Sequence, residues 1–161
     1  MRKSRIASLL LLLAACGKGG PPTGPNMVGP QPGPAAPRSD EVRAMLESVE
    51  RPFREQGVVT ARLNEEVQVG EVRVRPLAIL EDTRCPIDLD CVHGGTFRLR
   101  VSVSSLGETE MQLWRPLVIP NHAPIRLVAV APPRWHQVPP GVDPNAPPRF
   151  GFAGVPLEER R

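Results

Sequence analysis

The stretch that decides the fold is Thr96–Ser104, TFRLRVSVS, in which apolar and polar side chains alternate at nearly every position. Successive side chains of a β-strand point to opposite faces, so this alternation predicts a strand with one buried face and one face in water. The inward set consists of Phe97, Leu99, Val101 and Val103, and the outward set consists of Arg98, Arg100, Ser102 and Ser104.

A shorter alternation upstream predicts a β-hairpin. Residues 67–69 (VQV) and 72–74 (VRV) both alternate valine with a polar residue, and Gly70-Glu71 separates them. A glycine at the first position of a two-residue link suits a type II′ turn, which matches the twist of paired strands. Such a turn pairs the valines across the hairpin and places all four of them on one face.

Three more segments have the pattern of short strands. The second hairpin strand is expected to continue to Leu80, with a bulge or an edge position at Pro76 because proline cannot donate to the ladder. Glu108–Trp114 and Pro124–Ala131 supply two further strands. Five or six short alternating strands predict a mainly β fold, a small antiparallel β-sandwich or barrel, with one N-terminal amphipathic helix.

That helix is predicted over residues 39–56. Ser39 is a suitable N-cap, and the acidic residues in the first turn are stabilised by the positive end of the helix dipole. Apolar residues follow at helical spacing and form one stripe, which we expect to pack on the same domain rather than on a partner. The stripe consists of Val42, Met45, Leu46, Val49 and Phe53.

The β domain is expected to span residues 57–133 and to be followed by a Pro-rich irregular tail, residues 134–161. Seven prolines fall within residues 132–148, and no sustained period follows them. The tail either lies across the sheet through its apolar side chains or is disordered. Those apolar side chains are Phe150, Phe152 and Leu157.

The N-terminal residues have the pattern of an export signal. Three cations precede an apolar run, Ile6–Ala15, of ten residues. A helix that spans a bilayer needs about 20 apolar residues, so residues 1–15 are predicted to be a signal peptide.

The same segment, which ends in Leu13-Ala14-Ala15-Cys16, resembles a bacterial lipoprotein signal peptide with its lipobox. The resemblance implies cleavage before Cys16, a diacylglycerol on its sulfur and an acyl chain on its new amino group. Three acyl chains anchor a protein stably in a membrane. Gly17 is not the aspartate that retains some lipoproteins in the inner membrane, which favours the periplasmic face of the outer membrane.

Residues 16–38 are predicted to join this lipidated cysteine to the domain as a Pro/Gly-rich tether. Their composition cannot bury a core, and the tether would reach between about 26 Å as a flexible coil and about 68 Å as extended polyproline II. Three of the 20 Lys and Arg residues leave with the signal peptide, so the mature chain balances 17 cations against 17 Asp and Glu residues. This balance gives no support to nucleic-acid binding, which needs a concentrated basic face.

Cys85 and Cys91 are the cysteines that are left after lipidation. Two cysteines in an exported domain, separated by five residues, predict a structural disulfide. The alternative is a redox-active pair, which would normally have C-x-x-C spacing at a helix start.

The segment around this pair resembles a second pattern. Glu81–Pro86 (EDTRCP), four residues and Cys91–Gly95 (CVHGG) are similar to the motif E-D-[ST]-R-C-P-x4-C-V-W-A-G of small bacterial envelope lipoproteins. The resemblance implies an all-β domain in the cell envelope, and it implies no reaction. The chain departs from the motif at His93 and Gly94, where tryptophan and alanine are usual.

The same loop is the main candidate for ligand binding. Carboxylates, together with a histidine, lie within a short stretch and could hold a small ligand or a metal ion. The spacing does not fit an EF-hand, and Arg84 offers Asp82 or Glu81 an internal ion pair, so a solvated acidic loop is the competing interpretation. The candidate residues are Asp82, Asp88, Asp90 and His93.

No residue pattern indicates catalysis. The sequence has no G-x-S-x-G motif, and it leaves no free cysteine to pair with a histidine. We therefore expect neither an enzyme nor a bound cofactor. The favoured hypothesis is a membrane-anchored envelope module that binds another envelope protein or component, and the alternative is a ligand- or metal-binding domain that uses the Cys85–Cys91 loop.

Overall fold

In the computed structural model, which describes residues 37–155, two four-stranded antiparallel sheets pack face to face. The first sheet has the strand order β1-β8-β7-β6, and the second has the order β2-β3-β4-β5. This is the sandwich form of the predicted fold. The elements are helix α1 Ser39–Glu50, a 3₁₀ helix Arg51–Arg54, and strands β1 Val58–Arg62, β2 Val67–Val69, β3 Val72–Asp82, β4 Phe97–Val103, β5 Gly107–Gln112, β6 Pro116–Leu117, β7 Ile125–Ala131 and β8 Arg149–Gly154.

The core lies between the sheets, and β4 runs through its centre. Each inward residue predicted for Thr96–Ser104 is buried, and Arg98 and Arg100 are exposed. The two sheets supply the large buried side chains of one continuous cluster. Its largest fully buried members are Phe97, Phe150, Phe152 and Leu99.

The predicted hairpin is confirmed. Val69 lies opposite Val72 and Val67 opposite Val74, and Gly70 has a φ of +60°, a conformation that glycine adopts without steric cost. The pairing of β3 with β4 shifts register just after Pro76, where the bulge was expected.

The expectation of an irregular tail is wrong for residues 149–154. These residues form β8, which pairs with β1 on one side and β7 on the other and is therefore an interior strand. Phe150 and Phe152 point into the core, and the rings of Phe97 and Phe150 lie 6.2 Å apart. The alternation of apolar residues in this strand is short and follows a run of prolines. The strand is therefore defined by its pairing with β1 and β7 rather than by its local sequence.

The predicted helix is shorter than expected. It ends at Glu50 and continues as a 3₁₀ helix, because Pro52 has no N–H to donate and crowds the preceding turn. Arg38, not Ser39, is the N-cap residue. The backbone N–H of Arg38 donates a hydrogen bond of 2.9 Å to the Glu41 carboxylate.

The expectation that the apolar stripe packs on its own domain is confirmed. Phe53 lies against the outer face of the first sheet at Gly151, where an added Cβ would come within 3.4 Å of the Phe53 ring and 2.9 Å of the Ala129 Cβ. The Arg149 guanidinium lies 4.9 Å from the Phe53 ring centre and pairs with Glu50. The helical segment thus forms a third layer over this sheet.

The predicted signal peptide (residues 1–15), Cys16 and most of the tether lie outside the described residues, as does Leu157. Within residues 37–155, no helix has the length and apolar character needed to cross a membrane.

Candidate functional site

The loop between β3 and β4 is closed by the predicted disulfide between Cys85 and Cys91. Its base is held by backbone hydrogen bonds from Thr83 N–H to the Thr96 carbonyl (2.8 Å) and from Cys85 N–H to the Gly94 carbonyl (3.0 Å). The loop therefore leaves the second sheet as a fixed projection. Residues 84–91 of this loop are called the clamp loop below.

Arg84 joins the clamp loop to the first sheet. Its guanidinium makes two contacts of 2.8 Å with the Asp82 carboxylate, one of the two acidic partners that the sequence left open for it. It also donates to the backbone carbonyls of Val130 (3.0 Å) and Pro132 (3.2 Å) and lies 5.0 Å from the Phe97 ring centre. These two carbonyls lie at the end of β7, so the arginine supplies hydrogen-bond donors there.

Asp88 continues this contact along the chain that follows β7. Its carboxylate accepts hydrogen bonds from the backbone N–H groups of His136 (2.8 Å) and Gln137 (2.9 Å). The Ile87 N–H donates to the Arg134 carbonyl at 2.9 Å. Burial by itself would raise the pKa of the Asp88 carboxyl, but the two N–H donors outweigh it and hold the pKa below its ordinary value.

The four predicted ligand residues are therefore not brought together around one point. Asp82 and Asp88 make internal contacts with the chain itself, whereas Asp90 and His93 are exposed. Among residues 37–155, no group of three or more His, Cys, Asp or Glu side chains is arranged to hold a metal ion. The clamp loop instead holds residues 132–137, the first part of the Pro-rich residues 132–148, which are called the proline segment below.

The role of Asp88 predicts a pH-dependent effect of Asp88→Asn. The side chain of asparagine is neutral, so it accepts hydrogen bonds from the two N–H groups less strongly than a carboxylate does. We therefore expect the free energy of unfolding to fall by about 1 kcal/mol at pH 7, which is less than for a fully buried charged hydrogen bond. Because the folded pKa is lowered, this contribution is present above the unfolded pKa of about 3.9 and disappears as the pH falls through the folded pKa. Urea unfolding at neutral pH and near pH 2 measures the difference.

Asp90→Asn is the matched control, because Asp90 is the exposed aspartate of the same loop. The clamp contact would be refuted if both variants unfolded alike, or if the deficit of Asp88→Asn were equally large at both pH values.

The proline segment and the two sheets enclose a cleft of about 390 Å³. This volume falls within the range of small-ligand and peptide-side-chain pockets. Sequence reasoning missed this cleft, because its walls come from β3, β4, β7 and the proline segment, and only the isolated Trp135 among prolines hinted at it. The main apolar lining residues are Ile79, Phe97, Pro132, Trp135, Val138 and Pro148.

The charged groups of the cleft already have partners. Asp82 and Arg84 pair with each other, and Arg134 donates to the Arg84 carbonyl at 2.9 Å. Among the described residues that line the cleft there is no serine, threonine, cysteine, histidine or lysine. The lining thus offers apolar contact without a free nucleophile or proton-transfer group.

The two tryptophans have different surroundings. Trp135 lines the cleft, and its buried indole nitrogen has no hydrogen-bond partner among residues 37–155. Trp114 lies in the connection between β5 and β6 with 58 % of its surface exposed.

In comparisons with protein families, curated proteins and solved structures, none matches this chain. The two resemblances to lipoproteins described above therefore stay predictions from the sequence.

Proposed function

We propose that this protein is a non-catalytic binding module of the bacterial cell envelope. A lipid on Cys16 would anchor it at the periplasmic face of the outer membrane, and the cleft would take an apolar segment of an envelope protein or component. The lipobox sequence supports the anchor, and the composition of the cleft supports binding.

The observation that carries the proposal is that the cleft is apolar while its charged groups are satisfied internally. A catalytic site needs a nucleophile, acid or base within reach of its substrate, and the lining described above supplies none that is free. An apolar wall with a few fixed polar groups is typical of a site that recognises shape and apolar surface.

The clamp contacts also prepare the cleft for binding. Arg84, Ile87 and Asp88 fix the proline segment, which forms one wall, to the body of the sandwich. Prolines restrict the backbone further, so little conformational entropy is lost when a partner enters.

Photo-crosslinking in the envelope tests this function. The full chain is expressed in a Gram-negative host with p-benzoylphenylalanine at Ile79 or Val138, two exposed residues that line the cleft. We expect a discrete adduct at both positions. Adding Val138→Arg should remove the adduct at Ile79, because it places a long cation in an apolar cleft.

The matched control carries the photoprobe at Leu106. This residue is also apolar and exposed, but it lies in the β4–β5 turn, whereas the cleft contacts β4 at Phe97, its other end. The same adducts at all three positions, or none at Ile79 and Val138, would refute binding at the cleft.

A further inference from the structure

One stretch of the chain has no acidic residue. Between Glu110 and Asp143 the sequence contains neither Asp nor Glu, although it contains three arginines and two histidines. The charges of the predicted mature chain balance, but in this stretch every charged side chain is positive. The stretch includes β6, an edge strand of the first sheet, and the connection that leads into it.

The connection presents Trp114 in an unusual way. Its φ is +67°, in the left-handed region that bulky side chains rarely adopt. The residue is held there by hydrogen bonds from its own N–H to the Leu127 carbonyl (2.9 Å) and from the Arg115 N–H to the Gln112 carbonyl (3.1 Å). The sandwich therefore fixes a costly backbone conformation at an indole that is largely in water.

Other exposed groups follow Trp114 closely along the chain. Val118 has 73 % of its surface exposed, and Arg115 is also exposed. Leu117 and Ile119 face the core instead, so the edge alternates between anchoring and outward residues. The resulting edge, residues 114–118, combines an aromatic ring, an aliphatic side chain and a cation.

Two carboxylates contact this region from other elements. Glu71 lies 3.2 Å from the His122 ring, and Glu110 shares a hollow with Arg115 but pairs with Arg98 at 3.2 Å. Both belong to the second sheet or its hairpin, so residues 114–118 carry no acidic side chain of their own, and Glu110 of β5 lies in the hollow beside Arg115.

We propose that residues 114–118 form a membrane-contacting edge, which inserts Trp114 and Val118 at the surface of an anionic phospholipid bilayer. Tryptophan favours the membrane–water interface, where its apolar ring is buried and its N–H reaches polar headgroups. A nearby cation adds attraction to anionic lipid, and the acid-free stretch avoids repulsion. The charge of the edge therefore complements a lipid surface.

This inference deepens the proposed function, because it gives the anchored domain a preferred orientation. A domain of the described size has a radius of gyration of about 14 Å. The tether predicted from the sequence is longer than that, so it permits this edge to reach the bilayer that holds the lipid.

Tryptophan fluorescence with vesicles tests the proposal on the mature chain carrying Cys16→Ser, which has no acyl group. The chain has two tryptophans, so Trp135→Phe leaves Trp114 as the single reporter and Trp114→Phe leaves Trp135. Mixed phosphatidylcholine–phosphatidylglycerol vesicles should shift the Trp114 emission to the blue, and brominated lipid should quench it. The emission of Trp135 should not change.

The partition coefficient gives the size of the effect. Trp114→Ala should lower it about tenfold, as expected when one aromatic side chain no longer enters an apolar phase. Arg115→Gln should lower it about fivefold on the anionic vesicles and should have no effect on phosphatidylcholine alone. Val92→Ala is the matched control, because Val92 is an apolar residue with 94 % of its surface exposed, lies between β3 and β4 rather than within residues 114–118, and should bind like the parent.

Unchanged Trp114 emission, or equal partition of Trp114→Ala and Val92→Ala, would overturn the membrane contact and leave the edge as a protein-binding surface. Equal binding to neutral and anionic vesicles would overturn the proposed attraction between Arg115 and anionic lipid. Since the vesicle assay needs no acyl chain, its failure is distinct from failure of the lipid anchor, which is measured separately on Cys16.

Discussion

Phe150→Ala is expected to lower the free energy of unfolding by about 3–5 kcal/mol, the usual range for removing a buried phenylalanine. The Phe150 side chain is fully buried and contacts the Phe97 ring across the sandwich. It also lies on β8, between β1 and β7, where the surrounding strands cannot collapse to fill the cavity. Domains are stable by about 5–15 kcal/mol, so this single change would remove a large part of the total.

Urea unfolding followed by circular dichroism measures the change, and Val138→Ala is its control. Val138 is an exposed apolar residue of the proline segment, so its truncation should cost less than about 0.5 kcal/mol. If Phe150→Ala were as mild as Val138→Ala, residues 149–154 would not form an interior strand.

Gly95→Ala is expected to lower the free energy of unfolding by about 2–5 kcal/mol. A Cβ at this position would lie 1.8 Å from the Thr83 carbonyl oxygen and 2.9 Å from the Arg84 Cα, so backbone must move to accept it. Gly95 also has a φ of +71°, which costs an alanine about 1–2 kcal/mol, and the steric displacement adds about 1–3 kcal/mol. The clash falls at the base of the clamp loop, so the contacts of Arg84 should loosen as well.

Gly94→Ala provides the control at the adjacent position. An added Cβ there meets no atom within 4 Å, and the backbone of Gly94 is not in the left-handed region. Thermal unfolding should separate the two variants clearly, with Gly94→Ala close to the parent. Similar melting temperatures for both would contradict the close passage of residue 95 past Thr83.

Much of the sandwich is predictable from local sequence because its strands alternate cleanly. β4 and the β2–β3 hairpin follow from their period and from the Gly-X turn, and the structure confirms both. β8 could not be found in this way. Its partners lie in β1, far upstream, and in β7, across seventeen residues that contain seven prolines, so only tertiary pairing reveals that Phe150 and Phe152 belong to the core.

The candidate site shows the same division between local and long-range information. The disulfide joins residues close in the chain and was predictable from the sequence, as was an ion pair of Arg84 with a neighbouring carboxylate, although the sequence left Asp82 and Glu81 open as its partner. The partners of Asp88 lie nearly fifty residues away, on backbone N–H groups that any residue type could supply. For this reason the sequence could suggest an acidic ligand loop, whereas the structure shows that Asp88 is bound to the proline segment.

Native mass spectrometry of the protein purified from the envelope of a Gram-negative host tests the proposed anchored module most directly. We expect residues 16–161 carrying a diacylglyceryl group and an acyl chain on Cys16, with two hydrogens lost to the Cys85–Cys91 disulfide and no retained metal ion. An unprocessed or unacylated chain would contradict the lipid anchor. A bound ion that disappears on replacing Asp88, Asp90 or His93 would contradict the clamp and make the loop a ligand site.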